Sequence, residues 1–213
     1  MARPKKNYEP QKEELTKLAF HLFFTKGYEN TTISDIMKSA GLTKAGMYHY
    51  FSSKEDILDA AIEYGLSQEI EKTKASMINM NTEQKMLHFI KGNMIPNDFL
   101  QKILQMKQEN QGSYVAYRIR DYLTHAYIPL MIEILLEGNK KGIYKVKYPE
   151  QTAEFLVLLG KSLVEPNILP LAASEITILR MYAFLDIMEQ WLNPTPEHAN
   201  EIRDVFKETI PAL

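Results

Sequence analysis

The stretch "TTISDIMKSAGLTKAGMYHYFSSKE", residues 31–55, holds two short runs of apolar residues at helical spacing, with a glycine between them. Thr32 and Asp35 have the spacing of a capping box, which predicts a helix over 33–40 with Ile33, Ile36, Met37 and Ala40 on one side. Gly41 stops it, since glycine takes the left-handed conformation of a helix C-terminus without a Cβ penalty. Thr43 caps a second helix expected over 44–50. In that helix Met47 and Phe51 lie four apart and point inward with Ile36, while Lys44 and Tyr48, also four apart, point outward with Ala45 and His49 beside them. Two short helices joined by "AGLT" form a helix-turn-helix, with the apolar helix at 10–26 as a third packing surface.

The outward face suits a major groove. Ala45 and Gly46 let the backbone approach closely, Lys44 reaches a guanine edge or a phosphate, and Tyr48 and His49 donate to phosphates. Lys54 and the unpaired N–H groups at the helix start capped by Ser53 make a second phosphate site. Thr32 and Ser34 can serve in the same way at the start of the first short helix, and Thr43 completes the expected DNA-facing set.

"TTISDIMKSAGLTKAGMYHYFSSKEDIL", preceded by "FTKGYE", resembles the N-terminal DNA-binding domain of TetR-family transcriptional regulators, closely so over residues 10–60. The stretch "LLEGNKKGIYKVKYPEQTAEFL", residues 135–156, is weakly similar to the segment that leads into the dimerisation helices of that family. The resemblance implies a homodimeric repressor that binds a palindromic operator and releases it when a small molecule enters the body. It places the recognition contacts on Lys44, Ala45, Gly46, Tyr48 and His49, and the phosphate-binding lysine on Lys54. The family often has Gly-Thr where this chain has Ala45-Gly46, so a hydroxyl that usually contacts DNA is absent and Lys44 carries more of the base reading.

Charge agrees with a DNA-binding head. The 213-residue chain has net charge −2, yet residues 1–54 carry nine Lys/Arg against five acids, and the remainder carries 16 against 22. A basic head and an acidic body are the asymmetry expected when one end meets an anion. The chain has no cysteine, which removes disulfides and thiolate chemistry, and it lacks both a long apolar run and a signal-peptide h-region. The expectation is a soluble bacterial cytoplasmic protein, at the nucleoid when bound to its operator, with no membrane partner and no cofactor or metal.

The fold class expected is all-α, with a helix-turn-helix domain over 1–53 and a ligand-binding and dimerisation domain over 54–213. Helices are predicted near 53–80, 82–93, 97–109, 113–140, 149–165, 174–192 and 197–209, with Pro129 expected to kink the longest. Segments 153–164 and 176–192 are apolar nearly all round, as they would be if a second copy covered one side in a four-helix bundle. The interface is expected at Leu156, Leu159, Gly160, Leu163, Tyr182, Leu185 and Met188.

A plastic effector cavity is expected among the Met and aromatic residues of 86–136, with Met94, Phe99, Met106, Tyr117 and Tyr122 as lining. His125 and Glu165 are expected as buried polar groups that a ligand satisfies. The effector expected is apolar or amphipathic. An activator or a ligand-independent regulator of the same family is the nearest alternative. Enzyme motifs such as H-E-x-x-H, G-x-S-x-G or a Gly-rich phosphate loop do not occur, and a purely structural helix bundle would not need the Lys44/Tyr48 face.

Overall fold

The computed structural model of the chain describes residues 8–94, 112–163 and 174–209. All regular structure among them is helical: α1 (Tyr8–Lys26), α2 (Ile33–Ala40), α3 (Lys44–Tyr48), α4 (Lys54–Met77), α5 (Thr82–Met94), α6 (Gly112–Lys141), α7 (Pro149–Leu163), α8 (Ser174–Leu192) and α9 (Pro196–Thr209). No described helix is long and apolar enough to cross a membrane. The helix expected over 97–109 lies outside the described residues.

The chain divides into two compact units. The first holds α1, α2 and α3, α4 as far as Lys72, and α6 as far as Tyr122. Its core is built from Leu15, Ala19, Leu22 and Phe23 of α1, Ile36 of α2, Met47 and Phe51 around α3, and Ile57, Leu58, Ala61 and Ile62 of α4. These are the inward positions of the apolar periodicity, with Leu18 only partly buried. Arg118 of α6 pairs with Asp59 of α4 at 3.7 Å within this unit.

The second unit holds the rest of α4 and α6 with α5, α7, α8 and α9. Here α7 packs on α8, and α9 packs on both α5 and α8. The buried face of α6 runs Leu123, Tyr127, Met131, Ile134 and Leu135, a stripe at steps of three and four. Pro129 sits on the exposed side of α6, and the helix continues through it, so a single missing N–H donor does not end the helix here. The turn after α6 is pinned by Asn139, whose side chain donates to the Val146 carbonyl at 2.7 Å and accepts from the Val146 N–H at 2.9 Å. That turn drops Tyr144 into the core, where its hydroxyl shares a 2.9 Å hydrogen bond with His198 Nε2 of α9.

Candidate functional site

The surface expected to meet DNA is built from caps. Thr32 caps α2, its Oγ1 accepting from the Asp35 N–H at 3.1 Å while the Asp35 carboxylate accepts from the Thr32 N–H at 2.8 Å. The Thr32 hydroxyl, donating to Asp35 Oδ2 at 2.7 Å, and then the Thr32 N–H hold the Asp35 carboxyl below its usual range. Gly41 takes φ 65°, and the Leu42 N–H returns to the Met37 carbonyl at 2.9 Å, which reverses the chain sharply. Thr43 then starts α3, its Oγ1 accepting from the Gly46 N–H at 3.2 Å. A lost N-cap of this kind costs about 1 kcal/mol, so these short helices depend on them.

Helix α3 ends at Tyr48, two residues before the end expected from the sequence. The Tyr50 N–H bonds the Met47 carbonyl at 2.9 Å, a tightened turn, and His49 is the C-cap. The faces fall as the spacing predicts. Met47 and Phe51 are buried, while Thr43, Lys44, Ala45, Tyr48 and His49 are exposed, as are Thr32 and Ser34 of α2. Tyr48 is 47% exposed, too much for a packing residue of its size, and Lys44 Nζ lies 6.0 Å from its ring centroid. Gly46 is partly exposed, and a Cβ there would meet Thr43 Oγ1 at 3.4 Å and Leu42 Cδ2 at 3.6 Å, ordinary contacts. The fold itself therefore does not require glycine at 46.

Lys54 is oriented by an aromatic ring that sequence reading did not single out. Its Nζ stands 4.0 Å over the Tyr28 ring centroid, a cation–π contact, and the Tyr28 hydroxyl donates to Glu55 Oε1 at 3.5 Å. Burial first, and the Glu55 charge next, push the Tyr28 hydroxyl up to about 12, so it stays a donor. The start of α4 is capped by Ser53, which accepts from the Asp56 N–H at 3.1 Å, while Asp56 accepts from the Ser52 N–H at 2.9 Å. "SSKED" thus encodes the cap from which α4 starts at Lys54.

The second unit contains a partly open cavity of about 50 Å³. It is lined by Phe89 and Ile90 of α5, Met131 of α6, Leu156, Val157, Gly160, Lys161 and Leu163 of α7, Met181, Phe184 and Met188 of α8, and Phe206 of α9. Among the described residues singled out as ligand contacts, Tyr117, Tyr122 and His125 are not in its lining. Tyr117 is 52% exposed and His125 is exposed, because both fall off the 123/127/131 stripe of α6; Tyr122 is partly buried and belongs to the first unit. Met94 lies in α5 with its side chain outside the described residues, and Phe99, Met106 and Glu165 lie outside them altogether.

Within the single chain, most of the residues expected at a dimer interface face inward. Leu156, Gly160, Leu163 and Met188 line the cavity, Leu185 is buried within the unit, and Leu159 and Tyr182 are partly exposed. The apolar side chains that α7 and α8 turn outward are instead Phe155, Leu158, Leu179 and Trp191, with the Phe155 and Trp191 rings 6.3 Å apart. Helices apolar on both sides do divide into two faces here. The inner face, however, surrounds a cavity.

Lys161 is the residue that sequence reading missed. Its amine lies 4.3 Å from the ring centroid of Tyr127, a buried residue, and burial pushes that amine down to about 7. A lysine one residue after Gly160 in an apolar helix reads as a side chain that reaches out to water; here it is partly buried, its amine against the Tyr127 ring.

Comparison with known proteins places these features in context. Residues 15–61 match the family described as bacterial regulatory proteins, tetR family, and residues 105–187 match the tetracyclin repressor-like C-terminal domain. An HTH-type transcriptional regulator of Bacillus subtilis, YfiR, is 22% identical over 172 residues, covering 76% of this chain and 82% of the relative. The biofilm operon negative transcriptional regulator IcaR of Staphylococcus epidermidis is 38% identical over 52 residues, 24% of this chain and 28% of the relative. Among solved structures, a TetR-family transcriptional regulator from Pectobacterium atrosepticum superposes with TM-score 0.65 at 16% identity, over 89% of this chain and 98% of that one.

Proposed function

Because this chain belongs to the TetR family of bacterial transcriptional regulators, we propose that it represses transcription as a homodimer on a palindromic operator and lets go when a small molecule fills the cavity of its body. In this reading residues 1–53 are the DNA-binding domain and 54–213 the ligand-binding and dimerisation domain. One observation carries it: a basic and aromatic face of α3, fixed from behind by buried Met47 and Phe51 and left open in front at Lys44, Tyr48 and His49. The description of IcaR as a negative regulator favours repression over activation.

The dimer reading draws on the outward Phe155, Leu158, Leu179 and Trp191 of adjacent α7 and α8, an apolar face suited to a second copy of itself. Two heads double the phosphate contacts, and two recognition helices read adjacent major grooves about 34–36 Å apart. The effector reading draws on the cavity. Helix α6 supplies Met131 to its wall and, further toward its N-terminus, Arg118 to the pair with Asp59 of α4, the helix that leads out of the head. A ligand that favours one arrangement of α6 can bias the heads through α4, and a coupling of about 1–3 kcal/mol is enough for a usable switch.

Two substitutions in α3 test the assignment together. Lys44→Ala is expected to weaken operator binding by about 10-fold or more, with an unchanged melting temperature, because it removes an exposed cation that the fold does not use. Gly46→Ala is expected to separate two quantities that usually move together. It raises stability by up to about 1 kcal/mol through helix propensity, yet lowers operator affinity by filling the gap through which the backbone approaches DNA. Fluorescence anisotropy with labelled operator beside thermal melts reads both. Unchanged affinity in both variants would remove α3 from the interface.

A further inference from the structure

We propose that Tyr28 is a positioning residue of the DNA-binding surface, its ring holding the Lys54 side chain in place for a DNA phosphate. The proposal rests on the reading of Lys54 as a phosphate-binding residue and adds the group through which that lysine is presented.

The fold gains little from a cation at 54. Lys54 is the first residue of α4, where the helix dipole favours acidic side chains such as Glu55 and Asp56 and disfavours an ammonium. Its amine lies 4.0 Å from the Tyr28 ring centroid, closer than Lys44 lies to Tyr48, at 6.0 Å, or Lys12 to Phe51, at 5.5 Å. The ring is a fixed platform. Tyr28 is 8% exposed and packs against Phe23, with the ring centroids 5.3 Å apart. Gly27, at φ 86°, follows the end of α1 and turns the chain just before Tyr28. Thr31 closes that turn, donating its N–H to the Tyr28 carbonyl at 3.2 Å and its hydroxyl to the Gly27 carbonyl at 2.8 Å.

A ring restrains a lysine differently from a carboxylate. An ion pair offsets the charge and competes with phosphate for the N–H donors, whereas the face of a ring leaves the charge in full. Lysine loses much rotamer freedom when it grips a phosphate, so a side chain already lying on a ring has less to lose. The hydroxyl adds little to this, since its bond to Glu55 Oε1 is long, 3.5 Å. The ring carries the effect.

The test measures binding of the full-length protein to a labelled duplex of random sequence, about 30 base pairs long, at low salt, because phosphate contacts act on any sequence. Lys54→Met is expected to weaken binding by about 10-fold and to lower the slope of log affinity against log salt by about 2, roughly 0.9 for each of two heads. Tyr28→Leu is expected to weaken it by about 5-fold alone, and by less than about 2-fold when Lys54→Met is already present. Tyr28→Phe keeps the ring and should recover the affinity that Tyr28→Leu loses. A purely structural role for Tyr28 would lower affinity equally in both backgrounds, and that result would overturn the proposal. So would a loss in Tyr28→Phe as large as in Tyr28→Leu. Unchanged affinity and salt slope in Lys54→Met would overturn the phosphate reading of Lys54, and the proposal with it, while leaving the α3 assignment standing.

Because Tyr28→Leu also removes buried ring volume, spectra of the wild-type protein carrying isotope-labelled lysine give a second reading. The Lys54 Hε resonances, assigned by their loss in Lys54→Met, are expected upfield of the other lysines through the ring current. They should stay there when the duplex is added. Resonances at the ordinary lysine position, or ones that return to it on duplex binding, would overturn the proposal.

Discussion

Gly138→Ala is expected to destabilise the body by about 3 kcal/mol or more, the upper range for overpacking a rigid site. A Cβ at 138 falls 2.0 Å from Cδ2 and 2.3 Å from Cε2 of Tyr144, distances at which something must move. The ring cannot swing aside cheaply. It is among the largest fully buried side chains, and its hydroxyl is tied to His198 Nε2 at 2.9 Å, with His198 Nδ1 held in turn by Glu201 Oε2 at 2.8 Å. The backbone is no freer, because the N–H groups of Ile143 and Tyr144 both bond the Gly138 carbonyl, at 2.9 and 3.3 Å. Alanine's better helix propensity returns only about 1 kcal/mol. At about 2–4 °C per kcal/mol for a chain of this size, the melting temperature should drop by roughly 10 °C. Gly92→Ala is the control, since a Cβ there meets nothing within 4 Å and the melt should hold or rise slightly. A Gly138→Ala melt within a degree of wild type would mean that Tyr144 does not pack against this helix.

The second large effect concerns assembly. Phe155→Glu combined with Leu158→Glu is expected to turn the protein into a monomer and to cut operator affinity by roughly 10²–10⁴-fold, the range lost when two linked binding events become one. Both side chains are about half exposed in the single chain, 51% and 44%, so replacing them leaves its own core intact. Across a two-fold axis the same change removes apolar contact and sets like charges against each other. Sedimentation should give a particle near 24.7 kDa for the variant and about twice that for wild type. A variant that stays dimeric with full operator affinity would move the interface away from this face.

The head was legible in the sequence because its information is local. The Thr32/Asp35 cap, Gly41, the Thr43 cap and the four-residue steps from Lys44 to Tyr48 and from Met47 to Phe51 all act within one or two helical turns. What spacing could not supply was the Tyr28 ring under Lys54, a contact across 26 residues. The body was legible at the level of helices and breakers, and much less at the level of faces. Tyr117 and His125 have the residue types of a ligand site but the wrong azimuth on α6. In α7, Leu156 and Phe155 are both apolar and adjacent, yet one lines the cavity and the other faces outward. Composition cannot separate two apolar faces of one helix. Only the packing of α5, α6, α8 and α9 around α7 decides which becomes cavity.

Selection of bound duplexes from a random DNA library with the full-length protein tests whether a pair of α3 faces reads an operator. Enrichment is expected of an inverted repeat whose half-site centres lie one helical turn, about 10–10.5 base pairs, or a multiple of it apart. Recovery of duplexes with no common motif, or of a single half-site without its repeat, would contradict it.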